Sequence, residues 1–169
     1  DPSMPEFDLA LVRARRPLRE GNTYTVVSAI SVADEDSLRA DPAIYSPWIV
    51  TAYLQLPDNL PERVHVLAKN ITEKYTNPYD KATAIEQYLR TKIKYNESVS
   101  APPVGRDGVD YTLFDRPEGY CNYYASAMAV LARSVGIPAR VASGYTLGDY
   151  ADGAFHVIEA NAHSWPELY

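Results

Sequence analysis

The chain carries one cysteine and three histidines, so thiol chemistry has a single address, Cys121, and three candidate bases to serve it. Cys121 stands in Gly119-Tyr120-Cys121 at the predicted start of a helix. A thiol there faces backbone N–H groups without intrahelical partners and the positive end of the helix dipole. Both favour the thiolate, which is the nucleophile. The same N–H groups suit an oxyanion on an attacked carbonyl. Gly119 permits a tight turn and the close approach of a substrate backbone. The competing fate of a lone cysteine is a small buried apolar residue. Of the histidines, His65 is read as a surface residue off the apolar stripe of its helix. His156 and His163 lie on the last two predicted strands, and their placement alone does not choose between them. Either imidazole, within hydrogen-bond reach of Cys121, would take its proton. Either is equally well a half-buried strand residue with a satisfied ring.

These residues need elements to hold them. Thr23 to Val32 is rich in β-branched residues, with Tyr24, Val26, Ile30 and Val32 alternating onto one face of a predicted strand. Asp34 to Asp41 reads as loop or short helix. Tyr45 to Leu56 reads as extended, with Pro47 at its edge. The breakers Pro57 to Pro61 mark the predicted boundary between a β-rich segment, 1–56, and a core, 57–169. In the core, Pro61 suits a first helical position, and Val64, Leu67, Ala68, Ile71 and Tyr75 form an apolar stripe. Asn77-Pro78-Tyr79 breaks that helix, and Asp80 caps a second bearing Ala84, Ile85, Tyr88 and Leu89. Asn96 to Glu118 is a long polar loop. A third helix runs from Cys121 to about Val135, with Ala125, Met128, Ala129 and Ala132 on its stripe; Gly136 stops it and Pro138 forbids continuation. Strands are predicted over Ala139 to Leu147, Ala154 to Ala160 and Ala162 to Tyr169. Strands, then helices, then strands describe an α+β fold.

Composition narrows the chemistry further. The 169 residues are 46% apolar and 22% charged, a globular balance. A net charge of −6 excludes a general nucleic-acid binder, because phosphate contact needs a basic face. One cysteine excludes an internal disulfide framework and a cysteine-based zinc site. The longest apolar run, Ala127 to Ala132, is far too short to span a bilayer, and no stretch reads as a signal peptide. Asp149 and Asp152 lack the spacing of a calcium loop, and there is neither a phosphate loop nor a His-Glu-x-x-His. No metal or cofactor is expected. The 14 tyrosines suit half-buried positions on strands and helix stripes better than a sticky peptide-binding surface. A start at Asp1 without Met, and a stop at Tyr169 inside a predicted strand, read as a piece of a longer protein.

Three blocks in order carry a resemblance: Gly119-Tyr120-Cys121-Asn122-Tyr123-Tyr124-Ala125-Ser126-Ala127-Met128; Leu131-Ala132-Arg133-Ser134-Val135-Gly136-Ile137-Pro138-Ala139-Arg140, continuing to Gly144-Tyr145; and Ala162-His163-Ser164-Trp165-Pro166-Glu167. Together they resemble the transglutaminase-like superfamily of papain-type thiol enzymes, and most of all its bacterial branch in which the domain is the extracytoplasmic part of a membrane protein. The resemblance runs from about Leu54 to the end. It implies a helix bearing the cysteine packed on an antiparallel sheet bearing the histidine. Cys121 is then the nucleophile and His163 its base. Trp165, Tyr120 and Gly119 are the expected substrate-binding wall, Trp165 sharing the strand face of His163, where it either screens the imidazole from water or serves as a core aromatic. Arg140 is expected to be architecture.

The sequence departs from the family in reading Asn161 and Ser164 where Asp and Ala are usual. The family's orienting Asp comes from the strand after the histidine, so it is expected beyond Tyr169, the core being truncated before its last strands. Glu167 shares the face of His163, but its Cα is about 13 Å away and too far to orient the ring; Asn161 is nearer, about 6.6 Å by the same rise. The implied activity is acyl transfer through a Cys121 thioester, from a protein or peptide carboxamide to an amine or to water. The alternative is a protein- or cell-wall-binding module that keeps the fold without catalysis. No nucleic-acid partner is expected, and a membrane tether only through segments outside this chain.

Overall fold

The computed structural model describes residues 15–25, 27 and 31–169. It divides into two compact units, Asp1–Asp34 and Glu35–Tyr169. In the first, Val26 and Ile30 of the predicted strand lie outside the described residues. Tyr24, Val27 and Val32 are exposed and none of the described residues there is in a strand. Alternation stabilises a strand only where another strand pairs with it.

The second unit begins with two short helices, α1 (Glu35–Ala40) and α2 (Pro47–Tyr53). The expected extended segment Tyr45 to Leu56 is therefore helical over α2, and the breaker cluster lies inside this unit, with Leu60 in its core. Pro47, which suggested a strand edge, instead occupies the first helical turn, where its fixed φ and missing N–H cost nothing. Tertiary contact overrides the β propensity of Ile49, Val50 and Thr51. Trp48 and Tyr53 turn to Tyr169, with ring centroids 6.5 and 5.1 Å away.

Three longer helices build the core: α3 (Glu62–Thr72), α4 (Pro78–Lys92) and, after a connection, the cysteine-bearing helix. Asn77, not Asp80, caps α4. Its Oδ1 accepts from the Asp80 amide at 2.8 Å, while its Nδ2 donates to Asp80 Oδ2 at 2.7 Å. Pro78 thus opens α4 in its first turn, two residues before the expected cap, after α3 has ended at Thr72. The connection holds β1 (Lys94–Tyr95), a helical turn α5 (Gly108–Asp110) running into a π-turn (Tyr111–Asp115), and β2 (Glu118–Gly119). The long polar loop is pinned, not free. Arg63 on α3 donates from Nη2 to Asp110 at 2.6 Å and to Asp115 at 2.8 Å, and Leu113 enters the core. The Arg63 guanidinium holds the buried Asp110 carboxyl below its usual range, against the opposing push of burial.

Helix α6 (Cys121–Ser134) turns its small apolar face inward. Ala127, Met128 and Leu131 join Val64, Ala68, Ile85 and Leu89, while Ala129 and Ala132 meet Ile137 and Ala139. Gly136, at φ 83°, ends the helix, its N–H and that of Ile137 capping the carbonyls of Arg133 and Ala132. The chain then runs out along β3 (Ala139–Tyr145), through the ribbon β4 (Asp149–Ala151) and β5 (Ala154–His156), and back along β6 (Ala162–Leu168). Strands β3 and β6 pair antiparallel and pack on α6, giving the α+β arrangement of a helix on a two-stranded sheet.

Candidate active site

Two neighbouring elements fix Cys121. The parallel pairing of β1 with β2 sets Tyr95 opposite Gly119, and α6 starts two residues later. The Tyr124 hydroxyl donates to the Ile93 carbonyl, fastening the first turns of α6 to the end of α4. Cys121 is half-buried, not sealed in the core, and its Sγ lies 3.7 Å from Asn122 Oδ1. Tyr120 occupies the N-cap position and offers no side-chain acceptor to the first-turn amides. The Tyr95 phenol stands beside this start. Desolvation raises it above its ordinary value, with smaller contributions from the Glu97 and Cys121 charges, and a hydrogen bond with the Cys121 backbone draws it partly back.

His163 comes from the register of β3 with β6, which places it opposite Gly144. Cys121 and His163 line one cleft of about 730 Å3, between α4, α6 and β6. Trp165 lines it too, at 37% exposure, and is not a core aromatic. Across from them α4 contributes Tyr79, Glu86 and Arg90, the last two in a 2.8 Å ion pair, and β1 contributes Tyr95. Sequence reasoning missed these four wall residues. The one available signal was local: Tyr79, Glu86 and Arg90 recur at roughly helical spacing off the apolar stripe of α4.

The remaining candidates sit elsewhere. Tyr120 faces a second cavity of about 350 Å3, with Pro102, Asp107, Thr112 and Asn122. Its extended backbone (φ −108°, ψ −170°) points its side chain away from that of the next residue. Gly119 lines neither cavity. A Cβ there would stand 2.6 Å from Tyr123 Cβ, so its smallness serves the packing of α6 and not the approach of a substrate. His156, on the ribbon, lies outside the cleft with Nε2 3.2 Å from the Ala151 carbonyl. Asn161 spends its amide oxygen on the Ile158 N–H at 2.8 Å. Among the described residues no cluster of His, Cys, Asp and Glu could hold a metal.

A thiol at a helix start and a strand imidazole, opening on one cleft, are the parts of an acyl-transfer site. Known proteins share this build. The periplasmic domain of TgpA from Pseudomonas aeruginosa superposes with a TM-score of 0.65 at 33% identity, over 73% of this chain and 43% of that one. The uncharacterized protein YebA of Bacillus subtilis is 46% identical over 163 residues, 90% of this chain and 22% of the relative. A protein-glutamine gamma-glutamyltransferase of P. aeruginosa is 32% identical over 168 residues, 98% of this chain and 24% of the relative. The chain thus spans about a quarter of the length of these two relatives. Residues 65–169, which hold both sides of the cleft from α4 to β6, match the transglutaminase-like superfamily, and it is to this superfamily that the chain belongs.

Proposed function

We propose that this chain is a thiol acyl-transfer domain acting on protein or peptide carboxamides. Cys121 Sγ attacks the carboxamide carbon as its proton passes to the His163 imidazole. The tetrahedral oxyanion forms at the start of α6, where the positive end of the helix dipole favours it. Its collapse breaks the C–N bond, the imidazolium gives its proton to the departing nitrogen, and ammonia leaves a Cys121 thioester. A primary amine then attacks the thioester, forming an amide crosslink and returning the thiol; water in its place gives the carboxylic acid. The observation that carries the proposal is the opening of Cys121 and His163 on one cleft. The glutamyltransferase relative supports carboxamide as the substrate.

We further place this domain on the extracytoplasmic side of a membrane. The likeness to a periplasmic domain supports this, and among the described residues no helix is long and apolar enough to cross a bilayer.

The test is ammonia release from a glutamine-containing peptide, with and without a primary amine, followed together with the mass of the product. Wild-type protein should release ammonia and add the amine. Cys121→Ala and His163→Ala should each lose about 10³-fold or more of that rate. Turnover that survives Cys121→Ala would refute thioester chemistry. No turnover, together with iodoacetamide labelling of Cys121 that is indifferent to His163→Ala, would favour a binding module.

A further inference from the structure

One face of the β3–β6 ladder sets Arg140, Ala142 and Gly144 opposite Glu167, Trp165 and His163. Side chains two apart on a strand share a face, and diagonal neighbours are within reach of long side chains. The contacts on this face run in a line. Arg140 holds Glu167 Oε2 through Nε at 2.7 Å and Nη2 at 2.6 Å. The second carboxylate oxygen, Oε1, accepts from the Trp165 indole Nε1 at 3.1 Å. The far end of the indole reaches diagonally to Gly144, where a Cβ would stand only 3.1 Å from Cη2. Gly144 is the residue opposite His163, so the ring ends beside the imidazole's position on the ladder. Behind the guanidinium, the Tyr53 ring of α2 lies 5.8 Å from Arg140 Cζ. A large, partly exposed side chain on a sheet has several rotamers open to it. Here one end is tied to a carboxylate and the other lies where a neighbour has no side chain.

We propose that Glu167 is a positioning residue: gripped by Arg140, it tethers the Trp165 indole across Gly144 and thereby sets the wall of the Cys121–His163 cleft beside the imidazole. The tether itself needs no catalysis; only its consequence for rate rests on the acyl-transfer reading. A fixed ring admits slender groups to the cleft more readily than bulky ones. An untethered ring loses that discrimination.

Trp48→Phe keeps an aromatic ring against Tyr53 and Tyr169 and leaves Trp165 as the one tryptophan of two. In that background, acrylamide quenching reads the tether. Alkylation of Cys121, the chain's one thiol, by iodoacetamide and by N-benzylmaleimide reads the cleft wall. Glu167→Ala should raise the quenching constant about two- to fivefold and reduce the preference for the slender reagent by a similar factor, with native circular dichroism. Arg140→Met should act in the same direction. Glu167→Gln keeps an oxygen for the indole but loses the charge that Arg140 grips, and should fall between. Wild-type quenching in a natively folded Glu167→Ala overturns the proposal. If that variant does not fold, Glu167→Gln decides: raised quenching supports the tether, and wild-type quenching overturns it. A protein without acyl transfer still reports both signals, and an active protein whose Trp165 ignores Glu167 refutes the tether alone.

Discussion

Substituting Gly119 by alanine tests how the cysteine is placed. The added Cβ would lie 2.6 Å from both Cβ and Cγ of Tyr123. Carbon atoms in contact prefer about 3.5–4.0 Å, so the shortfall is about 1 Å. Tyr123 Cβ is fixed to the backbone of α6 and no rotamer change moves it, so β2 or the first turn of α6 must move instead. Overpacking of this kind costs about 1–3 kcal/mol. For a chain of this size that lowers Tm by about 2–4 °C per kcal/mol, or about 2–12 °C in all. The same displacement falls two residues before Cys121. A misplacement of about 1 Å in a reacting group costs about 10²-fold in rate. The assay is thermal unfolding by calorimetry, with acyl transfer and iodoacetamide labelling measured well below Tm. Gly108→Ala is the control, since its Cβ would meet only Pro102 Cγ at an ordinary 3.8 Å and should leave Tm and rate near wild type. A Gly119→Ala protein with wild-type Tm and turnover would refute the reasoning that packing against Tyr123 fixes the thiol.

Other expected outcomes follow from single contacts. Asp110→Asn leaves Arg63 and Arg106 without their buried counter-charge and should destabilise the chain by about 2 kcal/mol, because Arg63 is itself half exposed to water; the guanidinium chloride midpoint checks this. Because the native carboxyl of Asp110 sits below its usual value, the unfolded chain binds the extra proton as pH falls. Its contribution is complete above the ordinary carboxylate range near pH 4 and fades below it, and Asp110→Asn should flatten the midpoint's acid dependence. Asn77→Ala removes the cap of α4 and should cost about 1 kcal/mol in the same titration. Gly136→Ala forces a Cβ into the left-handed region at φ 83° and should cost about 1 kcal/mol or slightly more, read as a lower Tm with Cys121 labelling unchanged.

What the sequence determined by itself was local. Gly136 and Pro138 end one helix and launch a strand wherever the chain goes, and the small apolar stripe from Ala125 to Ala132 must be buried against something. Cys121 at the head of that helix follows from the same local signals. What it did not determine depended on partners distant along the chain. Tyr45 to Leu56 reads as extended because its β-branched residues cannot announce that Tyr169 will stack on Tyr53. Asn96 to Glu118 reads only as a long polar loop because Arg63, far upstream, supplies the charge that holds Asp110 and Asp115. His156 and His163 look alike as strand histidines. The β3–β6 register sets His163 opposite Gly144 and leaves His156 out on the ribbon. Tyr120 adjoins Cys121 in sequence yet faces another cavity, whereas Tyr95 reaches the cleft through the pairing of β1 with β2. Periodicity, caps and breakers act over a few residues and are written in the chain. Cleft walls, ion pairs and which histidine shares the cleft with Cys121 depend on long-range contacts, formed only when the folded backbone brings residues far apart in sequence to one place.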